Sequence, residues 1–197
     1  MENAENNDLE QLNKYNKLYL EIIMRYKDYI EENEQLYVAE LPKLVTPEND
    51  SVVAAVNKIK SSFPVYSFEG NFYDAVKLSY EYIRDGIFTV EVPLQFWLTP
   101  EETIRIGAGD LFDKAVLLCS MLIALGNPST KIIVIISDST RRFVVYSEFQ
   151  GKIIAIDVST GIKEYKDKDE LLMNLGISKG DEIMAYEFND KMYSDLV

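Results

Sequence analysis

The sequence predicts an α+β fold, with helices first and an antiparallel sheet afterwards. Three observations lead there. Apolar residues repeat at helical spacing in separate blocks as far as Leu125. Beyond Lys131 the runs KIIVIIS, RFVVYSEF and KIIAIDVS are short and rich in β-branched residues. Turn signals separate the two halves: Gly126-Asn127-Pro128 stops the last long helix, and Phe149-Gln150-Gly151-Lys152 joins two strands as a hairpin. Helices followed by strands give the α+β class rather than alternating units.

Taken in order, Asp8 to Leu36 reads as one long helix. Leu12, Tyr15, Tyr19, Ile22, Tyr26 and Tyr29 form a single stripe, which Leu18, Ile23 and Ile30 widen. Packing on its own domain is the favoured use of that stripe, and a homodimer through the Leu12–Tyr29 helix is the alternative. Leu41-Pro42 and Thr46-Pro47 mark a linker. Residues 1–46 are therefore read as an N-terminal amphipathic helix with its linker, and 47–197 as the α+β domain, one compact unit overall. Pro47 to Ile59 reads as a helix with Thr46 as N-cap and Glu48 in its first turn. Ser61 to Gly70 is a turn region, and Asn71 to Arg84 is a helix that stops at Asp85-Gly86. IFTVEVPLQFW reads as extended, with Pro93 at a sheet edge or outside the sheet. Thr99-Pro100-Glu101-Glu102 starts a short helix reaching Ile106. The Gly107-Ala108-Gly109 turn follows, then a helix from Leu111 to Leu125. After the three strands, Asp169 to Leu175 reads as a short helix and EIMAYEFN as a fourth strand.

Composition narrows the function. The chain has 197 residues, 47% of them hydrophobic, enough to bury a core without metals or disulfides. A formal net charge of -13 argues against direct nucleic-acid binding, Arg141-Arg142 being the one compact basic pair. With a single cysteine there is no intrachain disulfide, and a reducing, cytoplasmic setting is expected. MENAENNDLEQ is acidic where a secretory signal would be basic and then apolar, and no apolar run spans a membrane. No histidine is present, which removes Ser-His and Cys-His hydrolysis and every His-ligated metal site. No cofactor motif is found. Gly107-Ala108-Gly109 lacks the Lys-Ser/Thr of a phosphate loop.

From Phe72 to Gly161 the sequence resembles the transglutaminase-like superfamily of papain-type cysteine enzymes. AVKLSYEYIRDGIFTV, WLTPEETIRIGAGDLFDKAVLLCSMLIALG and RRFVVYSEFQGKIIAIDVSTG carry the likeness. Family members read W-x-x-P-E-E-T-L, then G-D-C-x-D-K-A-x-L-L, then a strand beginning G-H-A-W-V and an aspartate on the next strand. The resemblance places the nucleophilic cysteine at Leu111, the histidine at Arg142 and the orienting aspartate at Asp157. Only the aspartate is kept. Leucine carries no nucleophile, and arginine stays protonated and is no base. Cys119 lies about two turns down the helix and reads as a buried small apolar residue.

The resemblance thus implies a domain that has lost its catalysis and works by binding a protein or peptide, as inactive members of the fold do elsewhere. Binding candidates are Trp97, Asp110, Arg141, Arg142 and Asp157, with Arg142 and Asp157 expected to pair across adjacent strands. Leu111 is expected at the floor of the cleft, filling it or closing it. Two other readings stand beside this one. Asp157 could serve as a base in a carboxylate-based hydrolase, which needs an open cleft and a raised carboxyl pKa. Or the chain could be a structural subunit assembled through the Tyr-rich helix. A metal-binding cluster of Asp110, Asp113 and Asp157 is weighed and disfavoured, since first-turn acids are common and no metal is needed.

Overall fold

The structure, a computed structural model, describes residues 2–33, 38–91, 94, 96–137, 140–177 and 183–197. The chain divides into two units, one formed by 1–35 with 92–96 and the other by 36–91 with 97–197.

The first unit is helical. α1 spans Glu2–Arg25 and α2 spans Lys27–Asn33. Hydrogen bonding passes through Tyr26, whose N–H reaches the Ile22 carbonyl at 3.2 Å and whose carbonyl accepts from Ile30 at 2.9 Å. The helix starts ahead of Asp8 because extending an existing helix costs little compared with nucleating one. Its expected end at Leu36 lies outside the described residues. The Leu12 to Tyr29 stripe is exposed along its length.

In the second unit a 3₁₀ helix at Val38–Leu44 comes first. The segment expected as a linker is instead part of the core, with Leu41, Leu44 and Val45 buried. α3 spans Asp50–Lys60, and its N-cap is Asn49, not Thr46. Both positions carry capping chemistry, but the Thr46 N–H is held by the Ser120 hydroxyl at 3.0 Å, which fixes Thr46 outside the helix. α4, Phe68–Gly86, begins before Asn71 because Phe68 packs on Phe72 and Phe149 at 5.0 and 5.4 Å between rings. Gly86 is its last helical residue and not a left-handed cap; Ile87 takes the cap position in an extended conformation.

β1, Phe88–Thr89, and β2, Ala108–Gly109, form a small parallel pair. Two of the three residues of the expected Gly107–Gly109 turn are therefore strand, and Pro93 lies outside the described residues. α5, Pro100–Ile106, starts where expected, with a capping box between Thr99 and Glu102, and Gly107 ends it at φ 70°. α6 spans Leu111–Ala124 and is buried without a break from Phe112 to Leu122. It is the central helix, touching α3, α4, α5 and the sheet.

β3 (Lys131–Ile136), β4 (Arg141–Phe149), β5 (Lys152–Asp157), β6 (Gly161–Tyr165), α7 (Lys168–Asn174), β7 (Met184–Phe188) and β8 (Tyr193–Asp195) complete the unit. The strands form one six-stranded antiparallel sheet in the order β6-β5-β4-β3-β7-β8. The fold is α+β. The β4–β5 hairpin turns through Gln150 and Gly151 at φ 50° and 74°, the paired left-handed conformation of a two-residue hairpin turn. β6 and β8 are additions to the expected strands. Alternation along β4 and β5 sends Val145, Ile154 and Ile156 toward α6, and Val144, Tyr146, Ile153 and Ala155 toward a second cluster under α7. Among the described residues no helix is long and apolar enough to cross a membrane.

Candidate functional site

The N-terminus of α6 is built by reciprocal hydrogen bonds. Asp110, the N-cap, accepts from the Asp113 N–H at 2.8 Å, while Asp113 accepts from the Asp110 N–H at 2.9 Å. The other Asp113 oxygen accepts from the Leu98 N–H at 2.9 Å, which ties the segment before α5 to this helix. Asp113 is only 1% exposed. Its burial, and then the charge of Asp110, push its carboxyl up to about 7, against the two backbone donors that favour the ionised form. The neighbouring Lys114 is also buried, donates to the Thr89 hydroxyl at 2.6 Å, and has its pKa lowered by that burial.

Gly109 shows why this corner demands glycine. A side-chain carbon there would sit 2.9 Å from the Asp113 Cβ and 3.3 Å from the Thr103 methyl. Gly109→Ala is therefore expected to destabilise the domain by about 1–3 kcal/mol, the usual range for overpacking, as read from urea unfolding. The loop also spends its backbone on β1: Gly107 and Gly109 carbonyls accept from Phe88 and Val90 at 2.8 and 3.0 Å. It is a strand pairing and no phosphate cradle.

Leu111 follows as the first residue of α6 and is partly exposed. It lines a cleft of about 180 Å³ together with Arg141, Arg142, Phe143, Asp157 and the Val158–Thr160 turn. The cleft is open, and Leu111 forms part of its wall without filling it. Phe143 packs on Phe112, the next residue of α6, at 5.4 Å between rings. Arg142 and Asp157 sit on the sheet face that points away from α6, at the end where β4 and β5 meet this cleft. Their side chains also line a smaller depression of about 30 Å³ toward α7. The pair is thus a lip between two hollows.

Arg142 Nη2 reaches Asp157 Oδ2 at 3.2 Å. Asp157 Oδ1 accepts from the Ser159 and Thr160 N–H groups at 2.9 and 3.2 Å. Both carboxylate oxygens are engaged, one by the turn and one by the guanidinium. Arg142 remains 48% exposed at its side chain, so the ion pair itself adds little stability. Arg141 beside it is exposed and makes no ion pair among the described residues.

The other candidates fall elsewhere. Trp97 packs on the Phe112 ring at 5.4 Å and is not part of the cleft wall. Asp110 and Asp113 serve the helix cap and do not line the cleft. Among the described residues no three Asp, Glu or Cys side chains come together as metal ligands. Cys119 is fully buried, and that burial raises its thiol pKa well above the ordinary value. The raised Asp113 carboxyl is locked inside the helix cap and does not line the cleft.

Two features escape a reading of the sequence. Ser159 and Thr160 join the cleft wall; the Asp-x-Ser-Thr-Gly run at 157–161 is the signal for the side-chain-capped turn that puts them there. On the α7 side of the sheet, Glu187 is 3% exposed and gathers Lys131 at 2.8 Å, Lys168 at 2.7 Å and the Tyr146 hydroxyl at 2.7 Å. Burial works against its charge, but these three partners hold the Glu187 carboxyl below its usual range. Tyr146 is pushed far up, by burial first and then by the hydrogen bond to Glu187.

The sequence matches no protein-family model and no curated protein. Among solved structures the chain is similar to calcium-bound LapG of Legionella pneumophila, at 18% identity and a TM-score of 0.43, over 72% of this chain and 86% of that one. It is similar to the EGTA-treated form of the same protein at 19% identity and a TM-score of 0.43, over 72% of this chain and 83% of that one.

Proposed function

We propose that this chain is a catalytically inactive transglutaminase-like domain that binds a peptide or protein segment through a carboxylate at the cleft beside Leu111. The observation that carries this reading is the cleft wall itself. It pairs apolar surface from Leu111, Phe143 and Val158 with two arginines, and it contains neither a thiol nor an imidazole. Arg142 is paired with Asp157 yet about half exposed, and the exposed Arg141 stands next to it. That arrangement suits a carboxylate taken up by charge-assisted hydrogen bonds, with an apolar neighbour seated on Leu111. The absence of histidine and the full engagement of both Asp157 oxygens argue against general-base chemistry there. The one buried cysteine fits a reducing, cytoplasmic setting.

A peptide library with free C-terminal carboxylates, set against the same peptides amidated, tests this by fluorescence anisotropy. Binders from the carboxylate set are expected to lose roughly tenfold in affinity on amidation and again in Arg142→Ala, the worth of one charge-assisted hydrogen bond. Indifference to both changes would refute the reading. Turnover of peptide or ester substrates that disappears in Asp157→Asn would replace it with the carboxylate-based hydrolase.

A further inference from the structure

We propose that the segment bound at the cleft ends in glutamate or aspartate, its terminal carboxylate on Arg142 and its side-chain carboxylate on Arg141. This rests on the carboxylate reading of the cleft.

The two guanidiniums that line the cleft are not equivalent. Side chains alternate along β4, so Arg141 leaves the strand on the α6 face with Phe143 and Val145, and Arg142 leaves on the opposite face with Val144. Arg142 is already shared with Asp157 at 3.2 Å. Arg141 is exposed and makes no ion pair among the described residues. Burial raises the pKa of the Tyr186 hydroxyl, and the charge of Arg141 offsets part of that, which sets this guanidinium on the Tyr186 side of β4. The Asp157 charge is met by Arg142 and by the Ser159 and Thr160 N–H groups. The positive charge left over in the cleft is therefore that of Arg141.

A single carboxylate seated on Arg142 leaves that charge unmet. The net charge of -13 repels an acidic ligand at long range. Charges beyond about 8 Å are largely screened at physiological ionic strength, so the guanidiniums of the wall decide the matter close up. A terminal glutamate or aspartate presents two carboxylates diverging from one Cα, which matches two guanidiniums diverging from neighbouring positions of a strand. Space favours one residue over two: the cleft holds about 180 Å³, the room of roughly six water molecules. The apolar side chain that precedes the acidic residue then meets Leu111.

Fluorescence anisotropy with short peptides labelled at the N-terminus is the experiment. They end in Leu-Glu or Leu-Gln, each with a free or an amidated C-terminus. On the wild type the free Leu-Glu peptide is expected to bind roughly fivefold more tightly than the free Leu-Gln peptide, the upper range for an ion pair open to water. Arg141→Met should erase that difference and keep the loss on amidation. Arg142→Ala should erase the loss on amidation and keep the preference for Leu-Glu. Arg141→Glu should reverse the preference, so that a free Leu-Lys peptide binds better than Leu-Glu. Arg141 is exposed, so both of its variants should keep the wild-type thermal transition. Equal binding of Leu-Glu and Leu-Gln, with amidation still weakening both, overturns the acidic terminus and leaves the carboxylate reading standing. A preference for Leu-Glu that survives Arg141→Met overturns the assignment to Arg141. Indifference to amidation and to Arg142→Ala removes both readings.

Discussion

Glu187→Ala is expected to lower the unfolding free energy by about 3 kcal/mol, near the low end for removing one partner of a buried ion pair. The low end applies because Lys131 and Lys168 keep 20% and 32% side-chain exposure and can turn partly toward water once the carboxylate is gone. For a chain of this size the loss corresponds to a fall of about 6–12 °C in the melting temperature. Tyr146 is the group with no escape. It is 1% exposed and loses the acceptor for its hydroxyl. Glu187→Gln keeps an acceptor for Tyr146 while removing the charge, so it should lie between the wild type and alanine. The same cluster gives an acid limb. The Glu187 carboxyl is held below its ordinary range in the folded chain, so its contribution is present above the usual carboxylate pKa and is lost as pH falls through the lowered value.

Asp113 has the opposite sign, and its effect is of similar size. Its folded pKa is raised from an ordinary 3.8 to about 7. Between those values the folded chain holds a proton that the unfolded chain has released. Stability should therefore fall as pH rises through this window, by at most on the order of 1.4 kcal/mol per unit, and level off above about 7. Asp110→Asn isolates the contribution, since asparagine caps a helix as well as aspartate does but removes the neighbouring negative charge. The variant should match the wild type near pH 5, where Asp113 is protonated in both. It should exceed the wild type by roughly 1 kcal/mol near pH 8, where the two carboxylates would otherwise repel. Denaturant unfolding of both chains at the two pH values checks this, and a constant difference across pH would contradict the assignment.

What the sequence makes legible follows how local each signal is. The two capping boxes at α5 and α6 are each written within four residues, and Thr99, Glu102, Asp110 and Asp113 take the places their spacing implies. The hairpin through Gln150 and Gly151 is just as local. Thr46 and Asn49 compete as N-caps within a few residues. The contest is settled by Ser120, which is far off in sequence, so no local reading resolves it. GIKEY and YSD are too short and too polar to declare themselves as strands, and they become so only because β5 and β7 offer free edges. The Glu187 cluster is the extreme case: nothing in KIIVIIS or EIMAYEFN announces that Lys131 and Glu187 will meet across neighbouring strands. At the cleft, the spacing from Gly151 places Arg142 and Asp157 together. The sheet twist and alternation that leave them on the lip are properties of the folded chain.

The unbroken burial of α6 from Phe112 to Leu122 has a consequence for how this domain can change. Those side chains are committed to the interior, and a substitution at any of them disturbs packing on several sides at once. Leu111, one position ahead, is where the N-terminal end of the same helix reaches water. The side chain at the cleft wall can therefore be exchanged there with the packing behind it left in place.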